Sequence, residues 1–155
     1  MGKGMESITF SPSILPISDS FTQEISEHLL DCPNLSSYRA VCMEFSCTRG
    51  GVVTHGYAPV EIILVKNLNK TWRIGRIIQY AFHGKLGGLR HHLDFNFETK
   101  IVYTSFLGWL SMTSADTSRL ESLTDIYQAW EAMFISCSQK SLFNKIQVKA
   151  VAERG

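Results

Sequence analysis

The sequence predicts an α+β fold: a strongly twisted antiparallel sheet of five to seven strands, with a short N-terminal helix and a long C-terminal helix packed on it. Three observations carry this. Apolar residues recur at period two through residues 37–48, 71–82, 91–98 and 145–151, the pattern of strands with one covered face. The links between them are short and polar, so each strand returns beside the last and the sheet is an antiparallel meander. Leu123, Ile126, Tyr127, Trp130, Phe134 and Cys137 then share one stripe at helical spacing, the strongest periodic signal in the chain.

In chain order, residues 1–18 hold Pro12 and Pro16 among scattered apolar residues and read as an extended arm laid over a neighbouring element, with residues 19–155 as a single α+β domain. Ser20 and Gln23 fit a capping box, and Phe21, Ile25, His28 and Leu29 share a helical face that ends before Pro33. Residues 37–48 alternate, with Val41, Met43, Phe45 and Cys47 on one face and Cys42, Glu44 and Ser46 on the other; a turn follows at Arg49, Gly50 and Gly51. The run Val60, Glu61, Ile62, Ile63, Leu64, Val65, entered through Pro59, is short and β-branched, which suits a strand buried on both faces. Residues 66–70 form a polar hairpin loop. The strand beyond it, residues 71–82, is the longest. Strict alternation places Trp72, Ile74, Ile78, Tyr80 and Phe82 on one face with Arg76 as the lone charge, and Gly75 as the site of a bulge or close backbone approach. After a Gly-rich loop at residues 83–88, Leu93, Phe95 and Phe97 face inward against Asp94, Asn96 and Glu98. Residues 101–110 read as one further strand, Ser118 and Glu121 as the box that opens the long helix, and Met133 as a widening of its apolar stripe. Lysines pointing outward from residues 145–151 mark an exposed edge.

Composition narrows function by exclusion. The chain has 155 residues, 45% hydrophobic and 19% charged, with a formal net charge of +1, so no strong field advertises a polyanionic or polycationic partner. No apolar run reaches the length of a membrane span and no signal-like N-terminus is present, so the expected address is cytoplasmic, with no membrane partner. Cys32, Cys42, Cys47 and Cys137 lack zinc-knuckle spacing and read as small buried hydrophobes.

Arg90, His91 and His92 beside Asp94 form the most site-like cluster, but adjacent histidines on a strand point to opposite faces and do not chelate one metal together. The loop at residues 84–88 is not a Walker loop, and no nucleophile elbow occurs. The expectation is therefore no catalytic residue, no metal and no cofactor. Lys66, Lys70, Arg73, Arg76, Lys85 and Arg90 interleave with Trp72, Tyr80 and Phe82 around the central hairpin, which gives an alternative reading as a single-stranded nucleic-acid binder. Arg73, Arg76, Lys85, Arg90, His91 and His92 are the candidate binding residues under either reading.

A resemblance adds to this. Gly56-Tyr57-Ala58-Pro59-Val60-Glu61-Ile62, then Asp94-Phe95-Asn96-Phe97 with Tyr103, then Tyr127, Trp130 and Phe134 before a closing apolar strand resemble an uncharacterised bacterial domain-of-unknown-function family. That family is known from gamma-proteobacteria and from mobile or pathogenicity-island DNA, and the resemblance spans residues 36–151. It implies a fold similar to the mitochondrial acidic matrix protein family, whose best-known member is a receptor for the globular heads of the complement q subunit. A twisted antiparallel sheet flanked by terminal helices, a ring-like trimer and action through protein binding, without catalytic residues, are what the resemblance implies. The acidity of that family does not transfer to a chain at +1. The expected function is a non-enzymatic, oligomeric protein-binding module, a dimer or trimer, serving host interaction or a mobile element. The complement q subunit enters as a partner by resemblance alone. The arm and the strand over 71–82 are the expected subunit contacts.

Overall fold

The computed structural model describes residues 8–49, 52–53, 59–83 and 88–151. Helix α1 (Asp19–Leu29) precedes a short 3-10 turn (Leu35–Ser37), strands β1 (Ala40–Ser46), β2 (Thr48–Arg49), β3 (Val52–Val53), β4 (Val60–Lys66), β5 (Trp72–His83), β6 (Gly88–Asn96), β7 (Ile101–Thr104) and β8 (Gly108–Ser111), helix α2 (Thr117–Gln139) and strand β9 (Lys145–Ala150). Seven strands form one sheet in the order β8-β7-β6-β5-β4-β1-β9, every pair antiparallel. The α+β class, the terminal helices and the meander follow the sequence reading. So does the lysine-bearing edge, since β9 lies at one end of the sheet. Gly50, Gly51, His55, the loop at 84–87 and the first residues of the arm lie outside the described residues.

Both helices lie on one sheet face, where the long aromatic side chains need cover. Phe21, Ile25 and Leu29 of α1 and Leu123, Tyr127 and Phe134 of α2 are fully buried with Val41, Met43 and Phe45 of β1, Ile62 and Leu64 of β4, and Phe95 of β6. α2 leaves Met133 48% exposed and buries Glu131 on the other flank of the stripe. The reason is polar: the Glu131 carboxylate accepts from the Tyr127 hydroxyl (2.8 Å) and from the Ser18 amide (3.1 Å), tying the entry of α1 to α2. A buried carboxylate with two donors is a satisfied group, whereas Met133 gains nothing there. Trp130 is similarly anchored, its indole Nε1 donating to Gln79 Oε1 at 2.9 Å.

Both helix starts lie two residues before the predicted boxes. Ser18, in extended backbone, caps α1 by accepting from the Phe21 amide, and Asp116 caps α2 by accepting from the Ser118 and Arg119 amides. An aspartate there also favours the helix dipole. Residues 101–110 form a hairpin, not one strand. Gly108 takes φ +77°, and the Thr104 hydroxyl accepts from the Leu107 amide, closing a tight turn.

The Gly75 bulge is present and changes the phase of β5. Leu64 pairs with Ile74, but the next residue back, Ile63, pairs with Arg76. A Cβ on Gly75 would lie 3.1 Å from Val65 Cγ2 and 3.4 Å from the Ile63 carbonyl, so the close approach requires glycine's missing side chain. Trp72 and Ile74 therefore join the core before the bulge and Ile77 after it. Arg76, Ile78 and Tyr80 turn to the opposite face, which corrects the single apolar face predicted from strict alternation.

The arm docks on its own chain. The Trp72 amide donates to the Thr9 carbonyl and the Ser11 amide to the Trp72 carbonyl, both at 2.8 Å, a parallel bridge centred on Phe10. β6 pairs only as far as Asn96 opposite Arg76, so the arm takes the edge of β5 that β6 leaves uncovered.

Candidate functional site

The sheet face away from the helices carries a line of polar side chains that crosses the strands. On β9, Lys149 pairs with Glu44 of β1 at 3.0 Å. The Cys42 thiol lies 3.6 Å from a Glu61 carboxylate oxygen on β4, and the Tyr80 hydroxyl of β5 donates to the other oxygen. The Tyr80 ring meets His91 of β6 edge-on at 5.2 Å, His91 Nδ1 lies 3.2 Å from Asp94, and Arg76 forks onto the same carboxylate at 2.9 and 2.6 Å. The bulge is what makes this line continuous, because it turns Arg76 and Tyr80 to this face.

Two shallow hollows open along the line. One, of about 400 Å³, is lined by Glu44, Ser46, Glu61, Tyr80 and Lys145 among others. The second, of about 280 Å³, is lined by Arg90, His91, Asp94, Tyr103 and Trp109. A larger hollow of about 610 Å³ lies between the arm and α1; Asp19 is its one ionisable lining residue, so it offers little chemistry.

The predicted binding residues do not act together. Arg76, Arg90 and His91 come to one hollow and its rim. Arg73 is elsewhere, forked onto Glu98 at 3.0 and 2.7 Å and donating to Asn67 at 2.7 Å. His92 meets Ser105 Oγ at 2.6 Å and the Phe106 ring at 6.0 Å, so the adjacent histidines have different neighbours. Lys85 lies outside the described residues. Trp72 is 4% exposed, with the Lys66 ammonium 5.2 Å above its ring, and it is not available as a stacking platform.

Sequence reasoning missed Cys42, Glu44, Glu61 and Tyr80 as a group. A signal was there: Glu61 is the one charge in the run over residues 60–65, as Arg76 is on its predicted face of residues 71–82, and such lone charges imply partners on neighbouring strands. Ligand atoms of Cys42, Glu44 and Glu61 lie within 4.8 Å of one another, a spacing that would fit a metal ion. Their chemistry argues otherwise. Glu44 is committed to Lys149, and Glu61 accepts from Tyr80. Burial, reinforced by Glu61 and Glu44, pushes the Cys42 thiol up to about 12. Burial and the Glu61 contact likewise hold the Tyr80 phenol well above its usual range.

The comparisons with known proteins add family and fold. The family model described as "Protein of unknown function (DUF2787)" matches residues 19–149. The chain belongs to this family. The DUF2787 match takes in α1 as well as the region of the motif resemblance. A solved structure of the hypothetical protein VC0508 from the Vibrio cholerae VSP-II pathogenicity island is similar at TM-score 0.74 and 24% identity, covering 94% of this chain and 100% of that one. The conserved hypothetical protein VC1805 from Vibrio cholerae pathogenicity island VPI-2 is similar at TM-score 0.67 and 26% identity, covering 90% and 99%. VC1805 is described as sharing structural homology with the human P32 protein. A search of curated proteins gives no match. The resemblance drawn from the G-Y-A-P-V-E-I and Y-x-x-W-x-x-x-F motifs therefore holds for family and fold. Among the described residues, no helix of this DUF2787 chain is long and apolar enough to cross a membrane.

Cys42 gives a direct check on the outer face. At pH 8 it should alkylate with iodoacetamide at least about tenfold more slowly than a free thiol peptide, because so little of it is thiolate. Glu61→Gln should speed it by removing a neighbouring charge. Peptide mapping by mass spectrometry reads both rates, and labelling of Cys42 at the free-peptide rate would contradict the burial assigned to it.

Proposed function

We propose that the chain is a non-enzymatic protein-binding module that works as a homo-oligomer. The observation that carries this reading is an apolar cluster at the end of the sheet: Phe106, Leu107 and Trp109 are 57%, 54% and 70% exposed, side by side on the β7–β8 hairpin. Contiguous exposed aromatic and aliphatic groups are the usual mark of a protein-contact surface, and Trp is prominent among residues that dominate binding energy. The polar line on the outer face supports the same reading. Its carboxylates are engaged by Lys149, Tyr80, Arg76 and His91, which suits a structured surface better than an acid–base centre.

The likeness to a protein compared with human P32 supports protein binding at the level of fold. A complement q-subunit partner rests on resemblance alone, and a chain at +1 lacks the acidity that would drive such a contact. Both relatives come from pathogenicity islands, so partners are sought among proteins of the host or of the mobile element. The nucleic-acid alternative draws no support from Arg73 and Arg76, whose charges are matched by Glu98 and Asp94.

Crosslinking of the tagged chain in cells, followed by mass spectrometry, tests the reading when wild type is compared with a Phe106→Ser, Leu107→Ser, Trp109→Ser triple variant. Wild type should enrich a defined set of proteins, the chain itself included, and the triple variant should lose them. Equal recovery with both would overturn the reading. Salt-sensitive binding of a fluorescent single-stranded oligonucleotide, abolished by Arg73→Glu, would favour the alternative.

A further inference from the structure

The two edges of the main sheet are built differently. β9 carries Lys145 and Lys149 at its ends, the charge pattern that discourages another strand from pairing. β8 carries none: residues 104–114, TSFLGWLSMTS, contain no charged side chain. β8 ends the strand order, with β7 as its one neighbour in the sheet.

Ladder alternation fixes which backbone groups of β8 are left over. The Met112 amide donates to the Lys100 carbonyl at 2.9 Å, so Lys100 and Met112 are a hydrogen-bonded pair in the register that places Val102 opposite Leu110 and Tyr103 opposite Trp109. Every second pair is bonded in an antiparallel ladder. Gly108 and Leu110 therefore bond to β7, while the amides and carbonyls of Trp109 and Ser111 point away from it. The Ser105 amide donates to the His92 carbonyl on the far side of β7, which agrees with the same alternation. An extended chain laid along this edge meets two ready donors and the ready Trp109 carbonyl, while the Ser111 carbonyl already accepts a long bond from the Ser114 amide at 3.4 Å and has one lone pair left.

We infer that this edge pairs with the β8 edge of a second copy of the chain, antiparallel about a two-fold axis beside Leu110, joining two sheets into one. The inference rests on the protein-binding, self-associating reading above and assigns it a surface. Three features select a second copy. Two-fold pairing centred on Leu110 sets Trp109 opposite Ser111 of the second copy, and Ser111 opposite its Trp109; the Ser111 amide donates to the facing Trp109 carbonyl, and the Ser111 carbonyl accepts the facing Trp109 amide in addition to, or in place of, its 3.4 Å bond from Ser114. On the outer face this places the largest side chain across from a small one, so the strand is complementary in shape to itself. The neutral hairpin brings no like charges together, as a pairing through β9 would. Phe106 and Leu107 lie at the end of the same hairpin, while the Trp109 indole already packs on Tyr103 at 5.0 Å.

Sedimentation equilibrium on the full chain tests this. Wild type should sediment at twice the 17.5 kDa chain mass. Trp109→Pro should sediment as a monomer with unchanged far-UV circular dichroism, since the amide it removes serves the free edge and not the β7 ladder. Ser111→Asp should also be monomeric, because it sets a charge against the apolar partner. A variant that leaves the edge amides in place gives a positive reading: Leu110→Cys should oxidise to a covalent dimer, since facing residues of a non-hydrogen-bonded pair have Cβ atoms about 4.5–5.5 Å apart. Wild type, with its four native cysteines, should not do so. A dimer that persists in both edge variants, or a trimer in wild type, would overturn the β8 interface and leave the protein-binding reading standing. A monomeric wild type would overturn the interface and self-association together, while loss of crosslinked partners from the triple variant would still be read separately.

Discussion

Phe134→Ala is expected to lower stability by about 3–5 kcal/mol, the range for removing a buried aromatic side chain. Phe134 is fully buried, and its ring stacks on Trp130 at 5.3 Å. It also meets Phe45 edge-on at 5.0 Å, Phe21 edge-on at 5.5 Å and Phe143 at 5.7 Å. Those neighbours come from β1, α1 and the segment before β9, so one ring joins both helices to the sheet. Alanine would lose the transfer energy of the ring, leave a cavity that four aromatic walls cannot collapse into, and forgo the edge contacts. Against a total of about 5–15 kcal/mol for a domain, that is a large fraction. Met133→Ala, on the adjacent and half-exposed position, should change stability by less than about 0.5 kcal/mol. Urea unfolding at one fixed protein concentration measures both, with the slope of the transition as a check on two-state behaviour. A Phe134→Ala midpoint close to that of Met133→Ala would mean α2 does not pack on the sheet through this face.

That contrast also shows what was legible in the sequence. Period-two and helical spacings report which residues need cover, and they located α1, β1, β6, α2 and β9 because each of those elements turns a periodic set of apolar side chains to the core. They fail where a polar interaction or a backbone irregularity overrides hydrophobicity. Glu131 is buried and Met133 exposed because Ser18 and Tyr127 need an acceptor, and no apolar pattern encodes that need. Gly75 was visible as a candidate bulge, yet a bulge moves every later side chain to the other face, so Ile78 and Tyr80 were placed on the wrong side. The outer polar line was hidden for the same reason: its members lie on five strands, and only the register sets Glu44 beside Glu61, carries that row through Ile78 to Asp94, and puts Tyr80 opposite His91 in the next pair along. The hairpin at residues 104–108 was read as continuous strand because its one strong signal, Gly108, was passed over.

Two arginine forks that look alike on β5 should respond unequally to mutation. Arg76 and Asp94 meet with side-chain exposures of 35% and 8%, whereas Arg73 and Glu98 meet at 37% and 44%. Arg73→Met should cost about 1 kcal/mol or less, since Glu98 on losing its partner turns to water. Arg76→Met strands the Asp94 carboxylate in the sheet with His91 as its remaining ion-pair partner among the described residues, at a cost of about 3 kcal/mol, the lower end for breaking a buried pair because Arg76 itself is partly solvated. The decisive comparison is the double variant Arg76→Met, Asp94→Leu. Removing both charges leaves no unpaired buried group, so the double variant should be more stable than Arg76→Met alone. The excess cost of the single change measures desolvation of Asp94 and not the attraction between the two ions. Chemical denaturation at pH 7 of the four Arg76/Asp94 species gives the coupling directly. Equal costs for Arg73→Met and Arg76→Met would show that Asp94 is solvated, and the continuity of the polar line through Tyr80, His91 and Asp94 would fail with it.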